Sequence, residues 1–162
     1  MPFPLPAAGE GIRRTIRREN TMPTTIYHNP KCGTSRNTLG LIRNTGEEPT
    51  IIEYLKTPLS KDELRALVQA LGISVRELMR SKEKLYAEHD LGNPKWSDED
   101  LLGFMAEHPV LMNRPVVITG KGAKLCRPES EVVLDILEKS QRGAFAKEDG
   151  TRVVDENGKR LR

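Results

Sequence analysis

The residues with the most chemical potential lie together in HNPKCGTSRNTL, from His28 to Leu39. Cys32 has serine, Ser35, where a Cys-x-x-Cys loop would carry its resolving thiol. No internal disulfide can form across that loop, so redox chemistry at Cys32 would need a thiol from outside. The segment joins an apolar run to a helix-like one, and free N–H groups at a helix start stabilise a thiolate or hold an oxyanion. On position alone, a reactive thiol and a buried structural cysteine are both open readings. His28 could lower the thiol pKa as an imidazolium or simply close the strand, and its place beside Cys32 favours the first. Arg36, one turn later, either supports the same site or faces solvent. Arg80, Arg114 and Arg127 fall at element ends, where they could converge on the Cys32 loop. A planar guanidinium suits a tetrahedral oxyanion, although any single arginine is more often a solvated surface charge. Cys126, alternating with Leu125, reads as a core thiol. ITGKGAK has neither the spacing nor the hydroxyl residue of a phosphate-binding P-loop. Thr38 stands where a Cys-x5-Arg anion loop would have arginine, and scattered histidines and two distant cysteines make no zinc site.

These residues need a scaffold, and the hydrophobic pattern supplies one. TTIYH (24–28) predicts a strand, Thr34 to about Asn44 a helix with Leu39, Leu41 and Ile42 inward, and PTIIEYL (49–55) a second strand. Short connections make that pair parallel through a right-handed crossover. Ser60 with Glu63 forms a capping box for a helix carrying Leu64, Leu67, Val68 and Leu71, which Gly72 ends. Ser74 opens a short helix closing at Arg80, residues 81–96 read as polar and irregular, and Ser97 caps a helix that Pro109 stops. VVIT and AKLC around Gly120 and Gly122 predict a hairpin, and SEVVLDILEKS an amphipathic helix. The order is βαβ, a helical block, then ββα. That is the order of an α/β thioredoxin-like mixed sheet flanked by helices, with a helical insertion at about 60–110 between its halves.

A chain of 162 residues with 26 basic and 23 acidic side chains suits one domain with short tails. We expect a leader without fold at 1–22, a domain over 23–141 and a polar arm over 142–162, the arm being either a small surface hairpin or mobile. The first 20 residues carry four arginines against two glutamates and so account for most of the net charge of +3. The remainder is too nearly neutral, and too poor in aromatics, for a nucleic-acid partner. No apolar run approaches the ~18 residues that cross a membrane. Two unpaired cysteines and no secretory signal suggest a reducing, cytoplasmic setting.

The chain from about Thr24 onward resembles the glutaredoxin-linked bacterial arsenate reductases of the ArsC type. IYHNPKCGTSRNTL, EPTIIEYL, GISVRELMR, NRPVVIT, LCRP, EVVLDIL and the tail GAFAKEDGTRVVDENGKRLR carry the resemblance. One departure is CRPESEVV, which has one residue more than expected between Pro128 and the following helix and could shift Arg127 slightly. The resemblance implies Cys32 as the nucleophile toward arsenic, tuned by His28 and Ser35. It also implies an oxyanion-binding triad of Arg80, Arg114 and Arg127, with Pro115 as a cis-proline beside the active cysteine. Glutathione is the implied co-substrate and glutaredoxin the implied partner, with no bound cofactor or metal.

Two competing readings belong to the same superfamily. One is a glutathione-dependent thiol reductase without arsenate specificity, which leaves the three arginines without a purpose. The other is a non-enzymatic regulator resembling the polymerase-binding Spx proteins, whose Cys-x-x-Cys switch is broken here by Ser35.

Overall fold

The computed structural model describes residues 23–162; the expected leader at 1–22 lies outside the described residues. Strand β1 (Thr25–Tyr27) is the hub of the fold. It pairs in parallel with β2 (Thr50–Ile52) on one side and antiparallel with β3 (Val116–Thr119) on the other. Strand β4 (Gly122–Leu125) closes a hairpin with β3, giving the order β2-β1-β3-β4. Helix α1 (Gly33–Arg43) makes the crossover from β1 to β2.

Side chains alternate across a strand, and here the alternation divides two hydrophobic cores. Val116 faces a core built with Tyr54, Leu64, Leu67, Leu78, Leu101, Leu102 and Met105. Its neighbour Val117 faces the other, with Ile26, Leu41, Ile42, Cys126 and Val133. The sheet is therefore covered on both faces, as a mixed α/β layer requires.

The helical block covers the first face. Helices α2 (Lys61–Leu71), α3 (Val75–Leu78) and α5 (Asp98–Glu107) each start at a serine with a complete capping box: Ser60 with Glu63, Ser74 with Glu77, Ser97 with Asp100. Each satisfies N–H groups that the helix start leaves open, worth about 1 kcal/mol apiece. The segment expected to be irregular from 81 to 96 contains a five-residue helix, α4 (Lys84–Glu88). It is too short to leave a periodic signal. The turns after it are fixed by the Arg76 guanidinium, which donates to the carbonyls of Leu91 and Asn93, and by fully buried Leu91.

The amphipathic helix expected in SEVVLDILEKS does not form; Ser130–Asp135 is 3-10 helix. Tertiary contacts take the groups an α-helix would use. The Thr119 hydroxyl donates to the Ile136 carbonyl at 2.5 Å, and the Ile136 N–H closes on Val133 instead of continuing an α ladder. The Glu131 carboxylate is drawn inward to Lys147 at 3.2 Å. Local periodicity yields there to packing on α1, a common outcome for a short segment.

The C-terminal residues form a hairpin of β5 (Phe145–Ala146) and β6 (Arg152–Val154). Val153 and Val154 are fully buried in the second core, so this arm packs more deeply than a surface hairpin. Gln141 donates to the Leu41 carbonyl at 2.8 Å, and Asn44 donates to the Gln141 side chain at 2.7 Å. Phe145 lies over Gly40 of α1, where an added Cβ would come within 2.7 Å of the ring. Among the described residues no helix is long and apolar enough to cross a membrane.

Two glycines give opposite expectations. Gly40→Val should overpack the arm contact and destabilise by roughly 1–3 kcal/mol. Gly103→Ala lies inside α5 with open space around the new methyl and should stabilise by about 0.5–1 kcal/mol. Urea unfolding of both variants checks the pair.

Candidate active site

Cys32 occupies the N-cap of α1, in extended backbone geometry, where β1 has just given way to the helix. The loop before it is tied tightly. The Cys32 N–H donates to the Asn29 carbonyl at 3.0 Å, and the Asn29 side chain accepts from the Lys31 N–H at 3.0 Å. The Ser35 hydroxyl, fully buried, lies 2.6 Å from His28 Nδ1 and accepts from the Asn29 N–H at 3.1 Å.

His28 differs from the imidazolium considered above. Burial pulls its pKa down, Glu53 opposes this, and Arg43 and Arg36 reinforce it. A neutral ring carrying its proton on Nε2 accepts a hydrogen bond from the Ser35 hydroxyl at Nδ1, so His28 and Ser35 together brace the loop that carries the cysteine. The link from His28 to Cys32 is positional, through Ser35 and Asn29.

The arginines come from segments distant from Cys32 in the chain. Segment 78–80 is latched beside 111–113: the Arg80 N–H donates to the Leu111 carbonyl and the Asn113 N–H to the Leu78 carbonyl, each at 2.7 Å. That latch carries Arg80 to the neighbourhood of Arg114. Arg127 follows β4, whose end is held by the Cys126 N–H donating to the Pro115 carbonyl at 2.9 Å. The Arg114–Pro115 peptide is cis; so is Arg127–Pro128, which the sequence reading did not anticipate. Arg127 Nη1 donates to the Arg114 carbonyl at 3.0 Å and to Cys32 Sγ at 3.5 Å.

Arg114 and Arg127 thus stand with the sulfur, while Arg80 joins them through a carboxylate. Glu83 Oε2 is 2.9 Å from Arg80 Nε and 3.8 Å from Arg114 Nη1. The buried Nε of Arg114 has no partner, and the same side chain acts on the Cys32 thiol. A cavity of ≈130 Å³ lined by Met79, Arg80, Ser81, Lys82, Asn113 and Arg127 lies against two of the three arginines; Cys32 and Arg114 are not in its lining.

This environment acts on the thiol. Burial raises the Cys32 pKa, but the Ser35 N–H at the helix start and the Arg114 and Arg127 guanidinium groups outweigh it, and the net shift is downward. Cys126 goes the other way: burial pushes it up to about 12, with Lys124 opposing and Asp135 adding to the shift. Arg36 makes a bidentate pair with Glu148 of the arm at 2.7 and 2.9 Å and donates to the Pro30 carbonyl at 2.9 Å. It ties the arm to the loop while staying within electrostatic reach of Cys32.

Sequence reasoning missed Glu83, Tyr54 and Glu148. Tyr54 is fully buried, donates to the Met112 carbonyl at 3.4 Å, and feels the charges of Arg114 and Cys32. It was legible only as part of a strand run. Glu83 sat in a stretch with no pattern at all. Among the described residues no cluster of three or more His, Cys, Asp or Glu side chains is arranged to hold a metal ion.

A mixed sheet with a helix-capping thiol at the end of its first strand is the thioredoxin-like class of fold. Residues 27–134 match the ArsC family, and the chain belongs to it. It is 60% identical to an arsenate reductase of Acidiphilium multivorum over 85% of this chain and 97% of that protein. It is 59% identical to the arsenate reductase of Escherichia coli over the same shares. An arsenate reductase structure from Vibrio cholerae superposes with a TM-score of 0.69 at 50% identity, covering 72% of this chain and 98% of that one.

The pKa contrast gives a direct measurement. The pH profile of iodoacetamide alkylation should show Cys32 titrating below an ordinary thiol and Cys126 silent in the folded protein. Arg127→Gln should move the Cys32 midpoint upward, because one of the thiolate's hydrogen-bond donors is gone. Peptide mapping of the alkylated sites checks both statements.

Proposed function

We propose that this protein reduces arsenate to arsenite in arsenic detoxification, through an adduct on Cys32. The observation that carries the reading is the meeting of a stabilised thiolate with Arg127 at 3.5 Å and the unpartnered Nε of Arg114. A glutathione-dependent thiol reductase needs cations for glutathione's carboxylates, but not three guanidinium side chains gathered around the sulfur itself. A tetrahedral oxyanion uses them, because each oxygen can take a charge-assisted hydrogen bond.

In the proposed cycle Arg80, Arg114 and Arg127 hold arsenate against the start of α1. The Cys32 thiolate attacks arsenic, and one oxygen ligand takes up protons and leaves as water, giving a sulfur–arsenic(V) bond. Ser35 supplies no second thiol, so glutathione displaces another oxygen ligand and binds arsenic through its own sulfur. Glutaredoxin's thiolate then attacks the glutathionyl sulfur. A disulfide forms between the two, the electron pair of the broken S–As bond stays on arsenic, and As(V) becomes As(III). Hydrolysis of the remaining Cys32–arsenic bond releases arsenite and restores the thiolate. The reductant is a pair of thiols, so the cycle calls for no bound cofactor or metal.

A coupled assay with arsenate, glutathione, glutaredoxin and NADPH, with thioredoxin substituted in a parallel run, tests the scheme. Turnover is expected with glutaredoxin and not with thioredoxin. Cys32→Ser should abolish it while leaving the unfolding midpoint near that of the wild type; turnover in that variant would sink the scheme. Arg80→Ala, Arg114→Ala and Arg127→Ala should each lower kcat/KM by about 10- to 100-fold, the loss of one charged hydrogen bond.

A further inference from the structure

We infer that the Glu83 carboxylate is a resident competitor at the oxyanion site: it holds Arg80 and Arg114 until a tetrahedral dianion displaces it, and so sets which anions reach Cys32. The inference rests on the reading of the three arginines as the oxyanion site.

Glu83 stands at the N-cap of α4, where a carboxylate ordinarily turns back onto the helix's free N–H groups, yet it makes no such cap. Its side chain points to the arginines instead. Exposure is low throughout the group, 24% for Glu83, 19% for Arg80 and 12% for Arg114. Charges so placed are screened less than surface ions. The two contacts are unequal. Arg80 Nε is hydrogen-bonded at 2.9 Å, whereas Arg114 Nη1 at 3.8 Å is in electrostatic reach only. The Arg114 side is therefore the one that yields first, and it is also the side nearer Cys32, with its Nε open.

Glu83 keeps one negative charge between the Arg80 and Arg114 guanidinium groups, which would otherwise repel one another. An incoming dianion offers several oxygens and more charge than the carboxylate, so it can engage Arg114 and Arg127 together and displace the weaker contact. A monoanion such as chloride offers neither. Glu83 thus lowers affinity for every anion but costs a dianion least, which makes it a specificity-determining residue that need not touch the reacting atoms.

Glutamine at this position isolates the charge, because its amide oxygen can still accept from Arg80 Nε. The experiment is protection of Cys32 from iodoacetamide in the full chain, read as the ratio of alkylation rates with and without anion. Arsenate, sulfate and chloride are tested in turn. In Glu83→Gln the arsenate concentration giving half-protection should fall by roughly three- to tenfold, and chloride should begin to protect. Glu83→Asp, which retains the charge, should bind arsenate no more tightly than the wild type. Half-protection at or above the wild-type concentration in Glu83→Gln would overturn the inference, as would equal tightening in Glu83→Asp. If arsenate fails to protect the wild-type thiol, the oxyanion-site reading itself falls and takes this inference with it.

Discussion

Bringing guanidinium groups together beside a sulfur, away from bulk water, is the constraint on which the rest of this structure depends. Like charges at low exposure repel, and each buried N–H needs an acceptor. The fold answers with three acceptors from three different places. The Arg114 carbonyl takes Arg127, the Glu83 carboxylate takes Arg80, and the Cys32 sulfur takes Arg127 again. One buried donor, Arg114 Nε, is left open. The same field that makes the arginines costly to assemble makes the thiolate easy to form. Activation of the nucleophile and preparation of an anion site are one electrostatic arrangement.

Such an arrangement needs rigid supports, because a guanidinium displaced by an ångström loses its hydrogen bond. The supports are backbone ladders. Arg80 is fixed by hydrogen bonds between segments 78–80 and 111–113, and Arg127 by the closure of Cys126 on Pro115. The two cores press the sheet from both sides, with Val116 and Val117 facing opposite ways at the strand that leads from Arg114. Tyr54, buried beneath the site, ties β2's continuation to Met112.

The C-terminal hairpin belongs to the same logic. Val153 and Val154 complete the second core, and Glu148 reaches back to Arg36, which in turn grips the Pro30 carbonyl. That exposed pair adds little stability of its own. Its effect is to link the arm to the loop whose hydrogen bonds aim Cys32.

Local chemistry written in consecutive residues was legible without coordinates. The strand–helix junction at Cys32, the serine helix starts, the β3–β4 hairpin and the missing second thiol all follow from short-range rules, because each depends on neighbours a few positions apart. The resemblance of the motifs to a known family named the arginines as a group. Residues 130–136 went otherwise, since the Thr119 hydroxyl takes the Ile136 carbonyl and the Ile136 N–H closes on Val133, outside an α ladder. For His28 the choice between the two sequence readings turns on burial, which lowers its pKa and which spacing does not reveal. By itself the sequence determined which residues could do chemistry and where the first helix would present its thiol. Only the tertiary structure decided that Arg80 and Arg114 would share one carboxylate, and that Arg36 would grip the arm and the loop. Those pairings join residues distant in the chain, and their energy exists only once both cores have closed.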